Sequence, residues 1–334
     1  MRIILAPMEG VVDYTMRELL TAVGGIDQCV TEFIRVSDRL LPPAVFRRLA
    51  PELGQQGITQ AGTVVLLQLL GSDPQVVAEN AARAVELGAP GIDLNFGCPA
   101  KTVNKSRGGA ILLDEPELVG DIVAAVRRSV PSEIPVSAKM RLGYRDKSRA
   151  LENAHAIESA GAQSLAVHAR TKEEGYKPPA HWEWIARIRE AVSVPVVANG
   201  EVWTPGDFER CRVISGCDDI MIGRGLVANP FLALAIKGQP LSMDDAWGAA
   251  LVLLERFHRQ VMENLSVRHV HGRLKQWVQM LGWHFPQARN LFVSLRTERD
   301  PERLLTLLAE AHKRHVAVYG ESSLFKERFE ARIA

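Results

Sequence analysis

Over the first 240 residues the apolar positions alternate between two textures. Short dense runs predict strands at 2–8, 28–34, 64–70, 91–97, 135–142, 164–170, 195–201 and 219–225. Several are almost wholly apolar, such as Val64-Val65-Leu66-Leu67 and Val194-Pro195-Val196-Val197-Ala198. Strands covered on both faces, as in parallel sheets, have this texture. Pro135 and Pro195 open strands, where a missing amide is tolerated. Between the runs the spacing becomes helical. Gln75 to Leu87 carries Val76, Val77, Ala81, Ala84, Val85 and Leu87, with Gly88 as a stop. Glu115 to Val130 has Pro116 in its first turn, and Asn153 to Ala160 ends at Gly161. Eight βα units in about 240 residues predict an α/β fold of the (β/α)8 kind, a TIM barrel. Alternation alone does not close a barrel, so a doubly wound open sheet is the alternative.

The texture changes after Lys237-Gly238-Gln239-Pro240, and no strand-like run follows. Helices are predicted from Asp244 to Met262, Val267 to Leu281, Gln287 to Leu295 and Pro301 to Tyr319. The chain therefore divides into a barrel domain, 1–240, and a C-terminal all-helical domain, 241–334. There is no internal repeat beyond the βα period and no low-complexity tract.

Composition narrows the class. Hydrophobic residues make up 47% and charged residues 24%, the profile of a soluble globular protein. A net charge of +1 provides no global attraction to nucleic acid, so any basic patch is local. One candidate patch groups Arg268, Arg273 and Lys275 with His269 and His271. It lies in a region with 14 Lys plus Arg against 11 Asp plus Glu, where the barrel part has 26 against 28. Cys29, Cys98, Cys211 and Cys217 form no Cys-x-x-Cys pair, which argues against a zinc ribbon, a dithiol motif or a disulfide framework. No metal site is expected, and a reducing cytoplasm is the expected location. The run Ile3-Ile4-Leu5-Ala6 is too short for a signal peptide, and no apolar stretch is long enough to predict a membrane span.

In barrels of this kind the active site is built at the carboxyl ends of the strands. Here strand one leads into Pro7-Met8-Glu9-Gly10, strand three carries Gln68, and strand four ends in Asn95-Phe96-Gly97-Cys98-Pro99. Strand five delivers Lys139 and Arg141, strand six His168 and Arg170, strand seven Asn199-Gly200-Glu201, and strand eight Gly223-Arg224-Gly225. Singly, Asn-Gly is a turn and Gly-Arg-Gly a loop; their shared rim is what points to a site. Glycines after strands seven and eight let backbone amides approach a phosphate, and Arg224 adds a charge-assisted contact. A phosphate-bearing cofactor is expected there. A Lys139 ammonium at the mouth requires an anionic or polar partner, either the pyrimidine edge of a flavin or a carboxylate such as Glu201. His168 reads either as a second contact to that edge or as a satisfied core histidine. The loop from Cys98 to Gly109 is a candidate lid bearing Cys98.

Six blocks together resemble the tRNA-dihydrouridine synthases: Pro7-Met8-Glu9-Gly10-Val11-Val12-Asp13, Asn95-Phe96-Gly97-Cys98-Pro99, Lys139-Met140-Arg141, Val167-His168-Ala169-Arg170-Thr171, Asn199-Gly200-Glu201 and Gly223-Arg224-Gly225. The resemblance covers essentially the whole chain. Glu9, where many members carry Ala, and Arg35 are similar to the C subfamily, which acts on position 16 of the tRNA D-loop. Arg273, Lys275 and Arg296 match RNA-contacting positions of that subfamily.

The resemblance implies a flavoprotein oxidoreductase with FMN at the barrel mouth and a helical domain that grips tRNA. Carried over by position, Pro7, Met8, Glu9, Gln68, Lys139, His168, Asn199, Gly200, Glu201, Gly223 and Arg224 hold FMN. Arg35, Asn95, Arg141 and Tyr176 face the substrate, and Cys98 is the catalytic acid. NADPH reduces FMN, hydride passes from N5 to uracil C6, and Cys98 protonates C5. A cysteine with a pKa near about 8.5 is mostly thiol at neutral pH and can act as that acid. Cys29, Cys211 and Cys217 read as small buried hydrophobes. The uridine has to be flipped out of its stack to reach the site. A monomer is expected. Two rival readings differ in class. One is a flavin barrel acting on a free pyrimidine, like dihydroorotate dehydrogenase, which has no use for the helical domain. The other is a non-catalytic RNA-binding protein, against which the intact set Cys98, Lys139, His168 and Arg224 stands.

Overall fold

A computed structural model describes residues 1–105, 107–264 and 267–320, without the side chains of Val267 and Arg268. The expectations for Arg268 and for 321–334 lie outside the described residues. The chain forms two compact units. One comprises Met1–Tyr14, Ile26–Val202 and Gly206–Gly223; the other comprises Thr15–Gly25, Trp203–Pro205 and the described residues from Arg224 onward.

The first unit is built on nine short strands: β1 (Ile3–Leu5), β2 (Gln28–Val30), β3 (Ile34–Arg35), β4 (Val64–Leu70), β5 (Ile92–Phe96), β6 (Val136–Arg141), β7 (Ser164–His168), β8 (Val196–Asn199) and β9 (Ile220–Ile222). All pair in parallel. β1 is bonded to both β2 and β9, and β2 also to β4, so the ring closes. The open-sheet alternative is thereby excluded, and the fold is a TIM barrel followed by a helical region.

β2 and β3 are one stave broken by a bulge. Val30 pairs with Leu66 and Ile34 with Leu69, so three residues of the second stave face two of β4. The single strand expected at 28–34 is therefore interrupted. Within the break the Thr31 hydroxyl accepts the Gln68 amide at 3.0 Å. β4 runs to its expected end at Leu70, and the remaining strands stop short of their expected carboxyl ends, because the rim residues leave the ladder to enter loops.

Helices follow the strands in chain order: α1 (Tyr14–Val23), α2 (Pro43–Leu49), α3 (Pro74–Glu86), α4 (Lys101–Lys105), α5 (Pro116–Ser129), α6 (Ala150–Ser159), α7 (Trp182–Ala191) and α8 (Pro205–Ser215). α3 shows why they start where they do. The Asp73 side chain accepts the Val76 amide at 3.0 Å, and Pro74 needs no partner in the first turn. β9 ends at Ile222, and Arg224, expected within the last strand, instead opens the short helix α9 (Arg224–Ala228), with α10 (Leu232–Ile236) behind it.

The second unit is helical. α11 (Met243–Asn264), α12 (Val267–Leu281), α13 (Pro286–Leu295) and α14 (Pro301–Tyr319) lie within a residue or a few of their expected limits. Its core is aromatic. Phe257 and Trp277 meet edge to face at 4.8 Å, and the Trp277 indole donates to the Val227 carbonyl at 3.0 Å. Asp300 caps α14 by accepting the Glu302 amide at 2.9 Å. Among the described residues no helix is long and apolar enough to cross a membrane, and no group of three or more His, Cys, Asp or Glu is placed to hold a metal.

Candidate active site

The barrel interior is stratified by the two-residue period of its strands. Ile4, Ala6, Val30, Leu66, Ala166, Val197 and Met221 form an apolar plug. Two residues further along stand Gln68, His168 and Asn199, on the same strand faces and so in the next layer toward the carboxyl ends, while Met8, Glu32 and Gly223 follow just beyond the ends of β1, β2 and β9. On β5 and β6 the matching rungs are Asp93 opposite Ser137 and Asn95 opposite Lys139.

A continuous hydrogen-bond chain crosses this layer. The Ser137 hydroxyl and the Gln68 Nε2 both donate to the Asp93 carboxylate, each at 2.6 Å. Asn95 Nδ2 donates to Gln68 Oε1 at 2.7 Å. Asn95 Oδ1 accepts the backbone amides of Gly97 and Cys98, both at 2.9 Å. Burial raises the Asp93 carboxyl above its ordinary value, against the bonds from Ser137 and Gln68 and the nearby Lys139.

Cys98 follows directly on the carboxyl end of β5, packed with Leu70 and Val103 and 8% exposed. Its carbonyl accepts Asn104 Nδ2 at 3.0 Å and the Ala110 amide at 3.1 Å. Burial pushes the thiol above the ordinary cysteine range. Glu9 pushes the same way, and Arg141 and Arg35 oppose it. The segment read as a lid is partly helical (α4), and buried Val103 and Asn104 tie it down. Asn104 Nδ2 also reaches the Ala100 carbonyl, and its Oδ1 takes the Ile111 amide at 2.9 Å.

Lys139 is partly buried, and among the described residues its ammonium has no hydrogen bond or ion pair. Burial, then the neighbouring Arg141, lower its pKa to about 8, while Asp93 and Cys98 hold it up. Its alternative partner Glu201 is engaged elsewhere, in an ion pair with the fully buried Arg170. Arg141 is itself buried. It donates to the carbonyls of Gly97 at 2.8 Å, Thr171 at 3.1 Å and Gly175 at 3.0 Å, binding the loops after β5 and β7 together. Tyr176, 52% exposed, lies over that guanidinium at 5.1 Å, and its ring is 5.9 Å from that of His168.

Gly200 has a φ of +127°, and a Cβ there would lie 3.3 Å from His168 Cδ2. A Cβ at Gly223 would lie 3.1 Å from the Met8 sulfur. Asn199 Nδ2 donates to the Met221 carbonyl at 2.7 Å. Pro7 and Met8 are partly buried, whereas Glu9 and Arg35 are exposed.

The remaining expected site residues belong to the helical unit. Arg224 stacks on Trp203 at 5.0 Å, and Trp203 meets Trp283 edge to face at 5.7 Å. Arg273 lies over Phe257 at 5.4 Å. Lys275 donates to the carbonyls of Arg296 (3.0 Å) and Glu298, just beyond the end of α13. Arg296 is exposed.

Sequence reasoning did not single out Asp93, Ser137 or Asn104, and it gave Arg170 no partner. Asp93 was within reach of it, being two residues before Asn95 on the same face of β5. Asn104 was not, because its role depends on a turn between Cys98 and Ile111 that no periodicity marks.

The model of the family described as Dihydrouridine synthase (Dus) matches residues 4–314. The tRNA-dihydrouridine(16) synthase of Aquipseudomonas alcaligenes is 59% identical over 312 residues, covering 92% of this chain and 99% of that protein. The protein of the same name from Pseudomonas putida is 58% identical over 315 residues, covering 92% and 96%. Among solved structures, 2-naphthoyl-CoA reductase in complex with 2-naphthoyl-CoA superposes with a TM-score of 0.56 at 14% identity, over 73% of this chain and 51% of that one, a likeness of fold. With a match that spans the barrel and nearly all of the described helical unit, the chain belongs to the dihydrouridine synthase family.

Proposed function

We propose that this protein reduces uridine to 5,6-dihydrouridine at position 16 of the tRNA D-loop, with FMN as its bound flavin and NADPH as reductant. The observation that carries the reading is Cys98 at the carboxyl rim, its thiol kept protonated by burial, in the electrostatic neighbourhood of Lys139, Arg141, Arg35 and Glu9. The name shared by the relatives supports position 16.

The residues at the mouth fit FMN. Lys139 offers a cation with no hydrogen bond or ion pair among the described residues, suited to a pyrimidine edge that gains negative charge on reduction. His168 and Gln68 add polar contacts, and Gly200 and Gly223 keep open positions where a Cβ would crowd His168 or Met8. Pro7, Met8, Glu9, Asn199, Glu201 and Arg224 complete the proposed set. When bound, FMN supplies the hydride for uracil C6.

Everything else is done by the chain. Cys98 Sγ–H gives its proton to C5 as enolate charge develops there, and a thiol rather than a thiolate is the competent form. Asn95 keeps a second Nδ2 proton for the substrate edge. Arg141 holds the loops around Gly97 and Tyr176, which face the flipped nucleotide together with Arg35. The helical region from 241 onward grips the tRNA through Arg273 and Arg296, while Lys275, expected with them, braces the segment after α13. Mapping dihydrouridine in tRNA from cells lacking this protein tests the reading. Loss at position 16 alone is expected; loss elsewhere, or none, overturns it.

A further inference from the structure

We propose that Asp93 is a positioning residue for Cys98, acting through Gln68 and Asn95. This rests on the reading of Cys98 as the proton donor. Asp93 is 2% exposed and one layer below the mouth, so it is shielded from solvent and its action has to pass through neighbours.

The chemistry of the chain fixes its direction. Asp93 acts here as an acceptor, one oxygen taking the Ser137 hydroxyl and the other Gln68 Nε2, whereas an amide side chain is ambiguous, with a donor and an acceptor that exchange on a half-turn. Asp93 takes Gln68 Nε2 at 2.6 Å, which obliges Gln68 to present Oε1 to Asn95. Asn95 then spends Nδ2 on Gln68 at 2.7 Å and presents Oδ1 to the Gly97 and Cys98 amides, both at 2.9 Å. Those amides can only donate. The chain thus has an acceptor end and a donor-only end, with two amides locked between them in the one polarity that satisfies both. Without the acceptor end Gln68 is free to turn its Nε2 toward Asn95 Nδ2, and Asn95 must then give up either that contact or its hold on the two amides. A turned Asn95 points a donor at two donors and releases the start of the loop that carries the sulfur. Buried groups left unsatisfied in this way are costly, so the loop shifts instead.

The test compares Asp93→Leu, Asp93→Asn, Cys98→Ala and the double variant Asp93→Leu/Cys98→Ala, all as full-length flavin-loaded protein. Two single-turnover steps are followed: flavin reduction by NADPH, and reoxidation of reduced enzyme by tRNA. Asp93→Leu is expected to slow reoxidation by about tenfold or more, the scale of one lost buried hydrogen bond, with flavin reduction unchanged. Asp93→Asn, whose Oδ1 can still accept from Gln68, is expected to retain most of the rate. In the Cys98→Ala background Asp93→Leu is expected to add nothing, as required of a residue that acts through the sulfur. An independent readout is alkylation of Cys98 by iodoacetamide in the flavin-free protein, expected to change severalfold in Asp93→Leu and little in Asp93→Asn. If Asp93→Leu leaves reoxidation intact, slows both steps in parallel, or has its full effect without the sulfur, the proposal fails. A Cys98→Ala enzyme with a normal rate sinks instead the reading beneath it. Should Asp93→Leu not fold, the Asp93→Asn arm decides: a loss as large as that of Cys98→Ala, with alkylation unchanged, overturns the proposal.

Discussion

The charges at the mouth set opposite requirements on pH. Burial raises the Cys98 thiol, so the proposed proton delivery is expected to stay at full strength through neutral pH and to fall only above the ordinary cysteine value of about 8.5. Lys139, brought down to about 8, loses its proton sooner. Flavin held by that cation is therefore expected to be retained at pH 7 and shed progressively as the pH rises through about 8. Dialysis at a series of pH values, followed by flavin absorbance, checks this. Lys139→Met is expected to bind flavin weakly at every pH and to abolish the step; an unchanged step would remove Lys139 from the flavin edge. Gly109 is a second residue with a defined consequence. Its φ is +70°, and a Cβ there would lie 2.8 Å from the Cys98 carbonyl and 2.9 Å from Cys98 Cβ. Gly109→Ala is expected to keep flavin and lose about a hundredfold in tRNA turnover, since displacements near 1 Å cost that much. Normal turnover would show that the loop tolerates a shift of the sulfur.

Among elements, α12 and α13 separate the proposed grip on RNA from holding the fold. Lys275 donates to two carbonyls beyond the end of α13, a structural duty, whereas Arg296 is exposed. Lys275→Ala is expected to lower the melting temperature, by about 2–4 °C for a loss near 1 kcal/mol. Arg296→Ala is expected to leave melting unchanged and to reduce the salt dependence of tRNA binding by about one ion. Thermal melting and a salt titration distinguish them, and identical behaviour of the two variants would contradict the division. Elements were the most legible feature of the sequence. β4 and the helices α12 and α14 fall on their expected limits because their apolar period runs uninterrupted. The second stave was read as continuous because a bulge leaves no mark in an apolar pattern; it shows only as three residues facing two. Arg224 was read as the tail of a strand because Gly-Arg-Gly following an apolar run does not distinguish strand exit from helix start.

For the whole molecule, parallel strands in a closed ring place every rim residue at one end, so residues far apart in sequence meet without any local signal. The list of rim residues was therefore legible once the barrel was assumed. Their partners were not: Arg170 with Glu201, Arg141 with three carbonyls, and Asp93 beneath Asn95 depend on side-chain direction across neighbouring staves. The two-unit build carries its own expectation. Reduction of tRNA should weaken steeply with salt, while flavin reduction by NADPH, which needs no RNA contact, stays flat. Parallel salt dependence of both steps would contradict an RNA-gripping helical unit. The measurement that bears most directly on the mechanism is reoxidation of pre-reduced Cys98→Ala enzyme by tRNA, with flavin content measured on the same sample. Full flavin occupancy with dihydrouridine formation nearly abolished is the expected result; dihydrouridine formed at the wild-type rate without the thiol would contradict it.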